Sequence, residues 1–309
     1  MWIWIGLAVV LALVLALAIY GGISVYGAST FNKDAKRVSG YTGNTPTKYG
    51  LVYEDVSFQS LSKNSPTLRG WWIPNPGAER ALIMVHGRDN NRTKMLPLSR
   101  PFWDKGYAVL LFDLQGQGTS DGKRYFFGQH EQWDVVAAFN FVKAKGFQPE
   151  KIGVVGTSMG ASSILLAMSR SPEIRVVVSD SSFASFVRVA QARFHGDTGL
   201  PDFFLPGIFT AAKVLYGFDV SQARPEVALT ALTGGRIFLI HGDQDTDVLP
   251  EHFYRLKEVG GANIVDSWIV ADVGHGESFE KQQAEFMQRV TAFLDKELAR
   301  KLPVTSAVK

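Results

Sequence analysis

The chain has 309 residues, a formal net charge of +3, no cysteine and six histidines. Acidic and basic residues are interspersed, so no basic stripe points to nucleic acid. Without cysteine there is no disulfide, thiolate nucleophile or Cys-ligated zinc, and no histidine falls in an H-x-H or H-E-x-x-H pattern that would signal a dedicated zinc site.

The length suits one large α/β domain or two smaller ones. Residues 2–20 form an unbroken apolar run, and no charged side chain appears before Lys33. At about 1.5 Å per residue this run reaches roughly 28 Å, close to the ~30 Å hydrocarbon core. Trp2, Trp4, Tyr20 and Tyr26 stand near its ends, where interfacial aromatics collect. A secretory signal needs a basic segment ahead of the run, and none is present. The stretch reads as an uncleaved single-span anchor. Lys33, Lys36 and Arg37 follow it, which favours the cytoplasmic side for the remainder by the positive-inside rule, with the exported side as the alternative.

Residues 31–49 are polar, rich in Gly, Thr, Ser and Asn, and read as a linker. Strands are predicted over 51–58 and 68–73, joined by a turn at Asn64-Ser65-Pro66. An apolar strand over 81–85 ends in His86-Gly87, and residues 92–105 read as a helix interrupted near Pro97 and Pro101. A further strand over 108–112 ends in Asp113 and a glycine-rich loop. Residues 131–145 have apolar positions at helical spacing. Strands follow at 152–155, 176–178, 237–240 and 264–270, with a last helix over 278–301. Strands alternating with helices imply a mostly parallel sheet covered on both faces. Residues 183–233 break the alternation with about fifty residues rich in Phe and Leu. They are too apolar for disorder and read as a helical insert over the carboxyl edge of the sheet.

Gly156-Thr157-Ser158-Met159-Gly160 joins a strand to a helix and fits the G-x-S-x-G nucleophile elbow. A serine hydroxyl needs a base, and the base needs a group that fixes its tautomer. The order for this elbow is Ser, then Asp or Glu, then His. Asp245 follows the strand at 237–240, and His275 sits between Gly274 and Gly276 after the last strand. They are the candidate acid and base for Ser158. Asp243, Asp247 and Asp180 are rival acids: Asp243 suits bracing its turn, Asp247 capping the helix near Pro250, and Asp180 follows its own strand. His86 and His241 directly follow strands and suit bracing their loops, while His130, His195 and His252 have no supporting context. The backbone N–H groups of Met159, after the nucleophile, and Arg88, in the loop after the third strand, are the candidate oxyanion donors.

These motifs, taken with His86-Gly87 and Asp113 ahead of Gly116 and Gly118, resemble an α/β-hydrolase superfamily serine hydrolase. The resemblance covers roughly residues 50–300 and is similar to the membrane-anchored branch related to monoacylglycerol lipases, acyl-protein thioesterases and serine aminopeptidase-like hydrolases. It implies an eight-stranded, mostly parallel α/β-hydrolase sheet with a helical cap, working without cofactor or metal on esters, thioesters, amides or peptides. Arginine after His86-Gly87 departs from the small or neutral residue of many relatives. The expected division is an anchor at 1–28, a linker at 29–50, a hydrolase domain at 51–301 with a cap or lid insert at 183–233, and a tail at 302–309. The insert and the anchor favour a lipophilic acyl ester as substrate. A peptidase, with Glu277 receiving a substrate amine, is the alternative. A catalytically silent membrane-bound binding protein is the third reading.

Overall fold

The computed structural model describes residues 1–31, 34–35 and 40–299. Lys33, Lys36 and Arg37, on which the orientation reading rests, and the 302–309 tail lie outside the described residues.

Eight strands run β1 Glu54–Gln59, β2 Thr67–Ile73, β3 Arg80–Val85, β4 Tyr107–Phe112, β5 Ile152–Thr157, β6 Val176–Asp180, β7 Arg236–Gly242 and β8 Ile264–Val270. Their order across the single sheet is β1-β2-β4-β3-β5-β6-β7-β8. The pairs β1/β2 and β2/β4 are antiparallel; every pair from β4 to β8 is parallel. This is the α/β-hydrolase fold expected from the motifs.

Among the described residues ten α-helices accompany the sheet: α1 Trp2–Phe31, α2 Leu96–Asp104, α3 Glu131–Ala144, α4 Met159–Met168, α5 Phe186–Thr198, α6 Leu205–Tyr216, α7 Pro225–Thr230, α8 Glu251–Gly260, α9 Ser278–Lys281 and α10 Gln283–Ala299. Alternate residues of β3 face opposite ways, as the two-residue period of a strand requires. Ala81, Ile83 and Val85 join a core with α3, α4, α7 and α8 through Phe139, Ile164, Leu229 and Leu256. Leu82 and Met84 join a second core with α2 and α10 through Phe102, Phe286 and Phe293. Both faces are therefore sealed, and the polar strand ends at His86, Asp113, Ser158 and Asp243 gather along one edge. In open α/β sheets that edge is where ligands bind.

Four expectations change in detail. The N-terminal helix continues to Phe31, past the anchor boundary at residue 28. The described part of the 29–50 stretch is tied to the domain: Ala35 is buried, its N–H donates to the Lys123 carbonyl, and the Tyr41 hydroxyl donates to Asp113. Within 183–233, α6 packs on α1, but α7 lies on the sheet face against α4 and α8. The last helix is broken at Gln282 into α9 and α10.

Candidate active site

Ser158 sits between β5 and α4 with φ 55° and ψ −126°. This left-handed conformation is costly for a residue with a Cβ. It turns the side chain out at the strand end while the chain reverses into α4. The flanking glycines are needed for contact rather than for φ. A Cβ on Gly156 would come 2.5 Å from Ile164 Cδ1, and one on Gly160 2.6 Å from the Val85 carbonyl oxygen. α4 can therefore start directly against the end of β3.

His275 Nε2 lies 2.7 Å from Ser158 Oγ, and its Nδ1 lies 2.7 Å from Asp245 Oδ2. Both distances fall in the range required for proton transfer. Gly276, at φ 64°, lets the loop turn beneath the ring, where a Cβ would come 2.9 Å from Thr157 Oγ1. Asp245 is buried, and its Oδ1 accepts the backbone N–H groups of Asp247 at 3.0 Å and Val248 at 2.8 Å. Burial pushes its carboxyl up, but hydrogen bonds from His241 and His275 outweigh that and hold it well below the usual carboxylate range. The carboxylate facing His275 is thus charged at neutral pH.

His241 was expected to brace its loop and does more. Its Nε2 lies 2.7 Å from the Val248 carbonyl and 3.2 Å from Asp245 Oδ2. A carbonyl only accepts, so this nitrogen carries the proton and shares it with the carboxylate. The i, i+4 spacing of His241 and Asp245 was the available signal. His86 is fully buried; its Nε2 accepts the Leu114 N–H at 3.1 Å and its Nδ1 meets the Gly87 carbonyl at 2.7 Å, which pins the loop after β3.

The rival acids are placed elsewhere. Asp180 accepts the hydroxyls of Ser278 at 2.9 Å and Ser181 at 3.2 Å, and burial raises its carboxyl. Asp247 does not cap α8; it pairs with Arg193 of α5. Asp243 does not brace its turn through its side chain: its N–H bonds the Val270 carbonyl, while its buried Oδ1 has no hydrogen-bond partner among the described residues.

Arg88 and Met159, the two candidate oxyanion donors, both line a cavity of about 800 Å³ that opens on Ser158. Gly87 lets the Arg88 loop approach: a Cβ there would stand 3.0 Å from Ser158 Cβ. The Arg88 side chain lies 3.6 Å from Asp89 and 5.7 Å from the centre of the Phe127 ring. The walls combine a group of aromatic rings, Phe127, Phe183, Phe186 and Phe194, with charged side chains, among them Lys94, Arg193, Asp197 and Asp247, and Tyr26, Gly27 and Thr30 of α1 complete them. Glu277 is exposed and is not among the lining residues. Among the described residues no group of His, Asp or Glu is arranged to hold a metal ion.

Comparisons with known proteins agree with this architecture. The family model for the X-Pro dipeptidyl-peptidase (S15 family) matches residues 26–231, a span that includes Ser158 but neither Asp245 nor His275. The Bacillus subtilis (strain 168) protein YqkD is 26% identical over 249 residues, 78% of this chain and 80% of its own. The Escherichia coli (strain K12) protein YfhR is 30% identical over 157 residues, 48% of this chain and 54% of its own, so the match spans about half of that relative. The crystal structure of the Pyrococcus furiosus esterase Pf2001 superposes with a TM-score of 0.68 and 29% identity, covering 86% of this chain and 100% of that one. With more than half of its length matched, the chain belongs to the X-Pro dipeptidyl-peptidase (S15) family, and its fold is that of an α/β serine hydrolase.

Proposed function

We propose that this protein is a membrane-anchored serine hydrolase that cleaves lipophilic carboxylic esters through an acyl-enzyme on Ser158. The observation that carries the reading is the unbroken chain Ser158 Oγ–His275–Asp245, with 2.7 Å at each step, opening into an aromatic cavity. Ser158 Oγ attacks the ester carbonyl carbon as His275 Nε2 takes its proton. Asp245 steadies the imidazolium through Nδ1–H. The Arg88 and Met159 N–H groups receive the oxyanion, and one such donor is typically worth about 3–4 kcal/mol of transition-state stabilisation. Collapse breaks the C–O bond, and the leaving alkoxide takes the proton from His275. Water, deprotonated by the same nitrogen, then releases the acid and restores Ser158.

Three features support an ester. The walls are rich in phenylalanine, the esterase Pf2001 aligns over its full length, and α1 is long and apolar enough to cross a membrane. A peptide substrate is the second reading, in keeping with the family's name. One observation favours it: Asp197 and Asp247 beside the cavity share the single cation Arg193, which leaves one negative charge for a substrate amine. Purified full-length protein should hydrolyse p-nitrophenyl acyl esters faster than aminoacyl anilides and be labelled by a fluorophosphonate. Ser158→Ala should abolish both activities and the label. Ester hydrolysis that survives Ser158→Ala defeats the proposal.

A further inference from the structure

The N-terminal helix changes character along its length. Residues 2–19 are exposed throughout. At 1.5 Å per residue that bare stretch is about 27 Å long, one hydrocarbon core. From Tyr20 onward the same helix is packed on α6 of the cap. The contact residues Tyr20, Ile23, Ser24, Gly27 and Ala28 recur at i, i+3, i+4, i+7 and i+8, a single helix face. Small residues permit the approach: a Cβ on Gly27 would lie 2.6 Å from Ile208 Cδ1, and one on Gly207 would lie 2.7 Å from the Tyr20 hydroxyl and overlap Ser24 Oγ. Where the bare stretch ends, Tyr20 stacks on Phe203 and Phe204 at 6.1 and 5.4 Å, and its hydroxyl donates to the Phe203 carbonyl. Phe203 is itself 61% exposed, an aromatic pair at the level where such rings favour the bilayer interface. About two to three turns further on, Tyr26, Gly27 and Thr30 line the cavity that holds Ser158.

We infer that the anchor is a wall of the substrate cavity, and that the enzyme takes a single-chain acyl ester directly from the bilayer its own anchor spans. The inference rests on the ester-hydrolase reading of Ser158. Tyr26 lies about 9 Å and Thr30 about 15 Å beyond Tyr20, so an acyl chain reaches the site without leaving the surface of the helix. The groups at the mouth do not ask for an anionic headgroup: Arg88, Lys94 and Arg193 are each paired, with Asp89, with Glu280, and with Asp197 and Asp247. The substrate class is therefore a neutral or zwitterionic ester with one long apolar chain.

The test uses full-length protein in phosphatidylcholine vesicles. Gly207→Leu wedges α6 from α1 without touching a cavity-lining residue. It should leave hydrolysis of soluble p-nitrophenyl acetate within about twofold of wild type and lower hydrolysis of p-nitrophenyl palmitate in the same vesicles at least tenfold. Palmitate ester offered in separate vesicles should turn over at least tenfold more slowly than ester sharing the enzyme's own bilayer. An unchanged palmitate-to-acetate ratio, or equal rates from both vesicle populations, overturns the inference. Absence of acetate hydrolysis and fluorophosphonate labelling in wild type would instead tell against the Ser158 reading. The cysteine-free chain supplies a check independent of activity: Ser24→Cys with Gly207→Cys should oxidise to a cross-linked species, and failure to do so also overturns the docking on which the inference stands.

Discussion

Asp245→Asn separates the acid role from its rivals. The wild-type carboxylate accepts from four donors: Asp247 N–H and Val248 N–H at Oδ1, and His275 Nδ1–H and His241 Nε2–H at Oδ2. Asparagine has one oxygen. If it stays with the two backbone donors, the amide NH2 faces two imidazole N–H groups. His275 must then shed its Nδ1 proton and carry it on Nε2, where it donates toward Ser158 instead of accepting. A base in the wrong tautomer costs about four orders of magnitude in kcat in triads of this kind, roughly 5 kcal/mol of barrier. The control is Asp180→Asn, whose Oδ1 meets only the Ser181 and Ser278 hydroxyls and should stay within about tenfold. Steady-state hydrolysis of p-nitrophenyl acetate, with the rate of fluorophosphonate labelling, reads both variants. Asp245→Asn within tenfold of wild type, or Asp180→Asn falling as far, refutes the reasoning and moves the acid to the end of β6.

Two further changes test the frame around the site. His252 is buried with Nδ1 accepting the Ala184 N–H, and burial, with the neighbouring His241 and Arg188 charges, lowers its pKa to about 4. The unfolded chain, near 6.5, binds the proton first, so stability present above pH 6.5 is lost as pH falls toward 4, by at most about 3 kcal/mol. His252→Gln should flatten the fall in unfolding midpoint between pH 7.5 and 5, and an unaltered slope would contradict the assignment. Arg92 and Asp113 form a buried pair at 2.9 Å, with Arg92 stacked 4.8 Å from Trp71 and 5.0 Å from Tyr41. Arg92→Met strands a buried carboxylate and should cost about 3–5 kcal/mol, seen as a lowered thermal midpoint; a shift under 1 kcal/mol would mean that the hydroxyls and backbone N–H groups around Asp113 suffice.

Local pattern made the strands and the candidate residues legible, because a buried strand and a glycine-flanked turn are written in neighbouring residues. The run 81–85 ends at His86 as expected, and Ser158, Asp245 and His275 emerge from three strand ends within hydrogen-bond reach. Partnerships between distant segments were not legible. Nothing near Asp247 signals Arg193, fifty-four positions away, and nothing in a polar linker announces that Tyr41 reaches Asp113. The apolar run of α1 satisfies a membrane-span criterion by itself, which hid its second use. The signal lay in Ser24, Gly27 and Ala28, small residues that share one face of the helix where it meets α6.

Substrate choice and bond cleavage are built from different parts of the chain, yet they meet at one ring. Phe127 holds φ 46°, costly for a bulky residue. Its turn is fixed because Glu131, at the start of α3, accepts the N–H groups of Phe126 at 2.7 Å and Gly128 at 2.8 Å. The ring so presented stacks 3.9 Å from Phe186 of α5 and 5.7 Å from Phe218, just past α6, and on its other side lies the Arg88 guanidinium. Phe127 therefore touches both cap helices' ends and the residue whose backbone N–H is the candidate second oxyanion donor. On the ester reading proposed above, an acyl chain that displaces Phe186, which lines the cavity, would move the ring beside Arg88. Interiors packed this closely transmit such shifts instead of absorbing them. On that reading a long-chain ester is expected to show a higher kcat as well as a lower KM than acetate, and a chain-length series of p-nitrophenyl esters with unchanged kcat would refute the coupling.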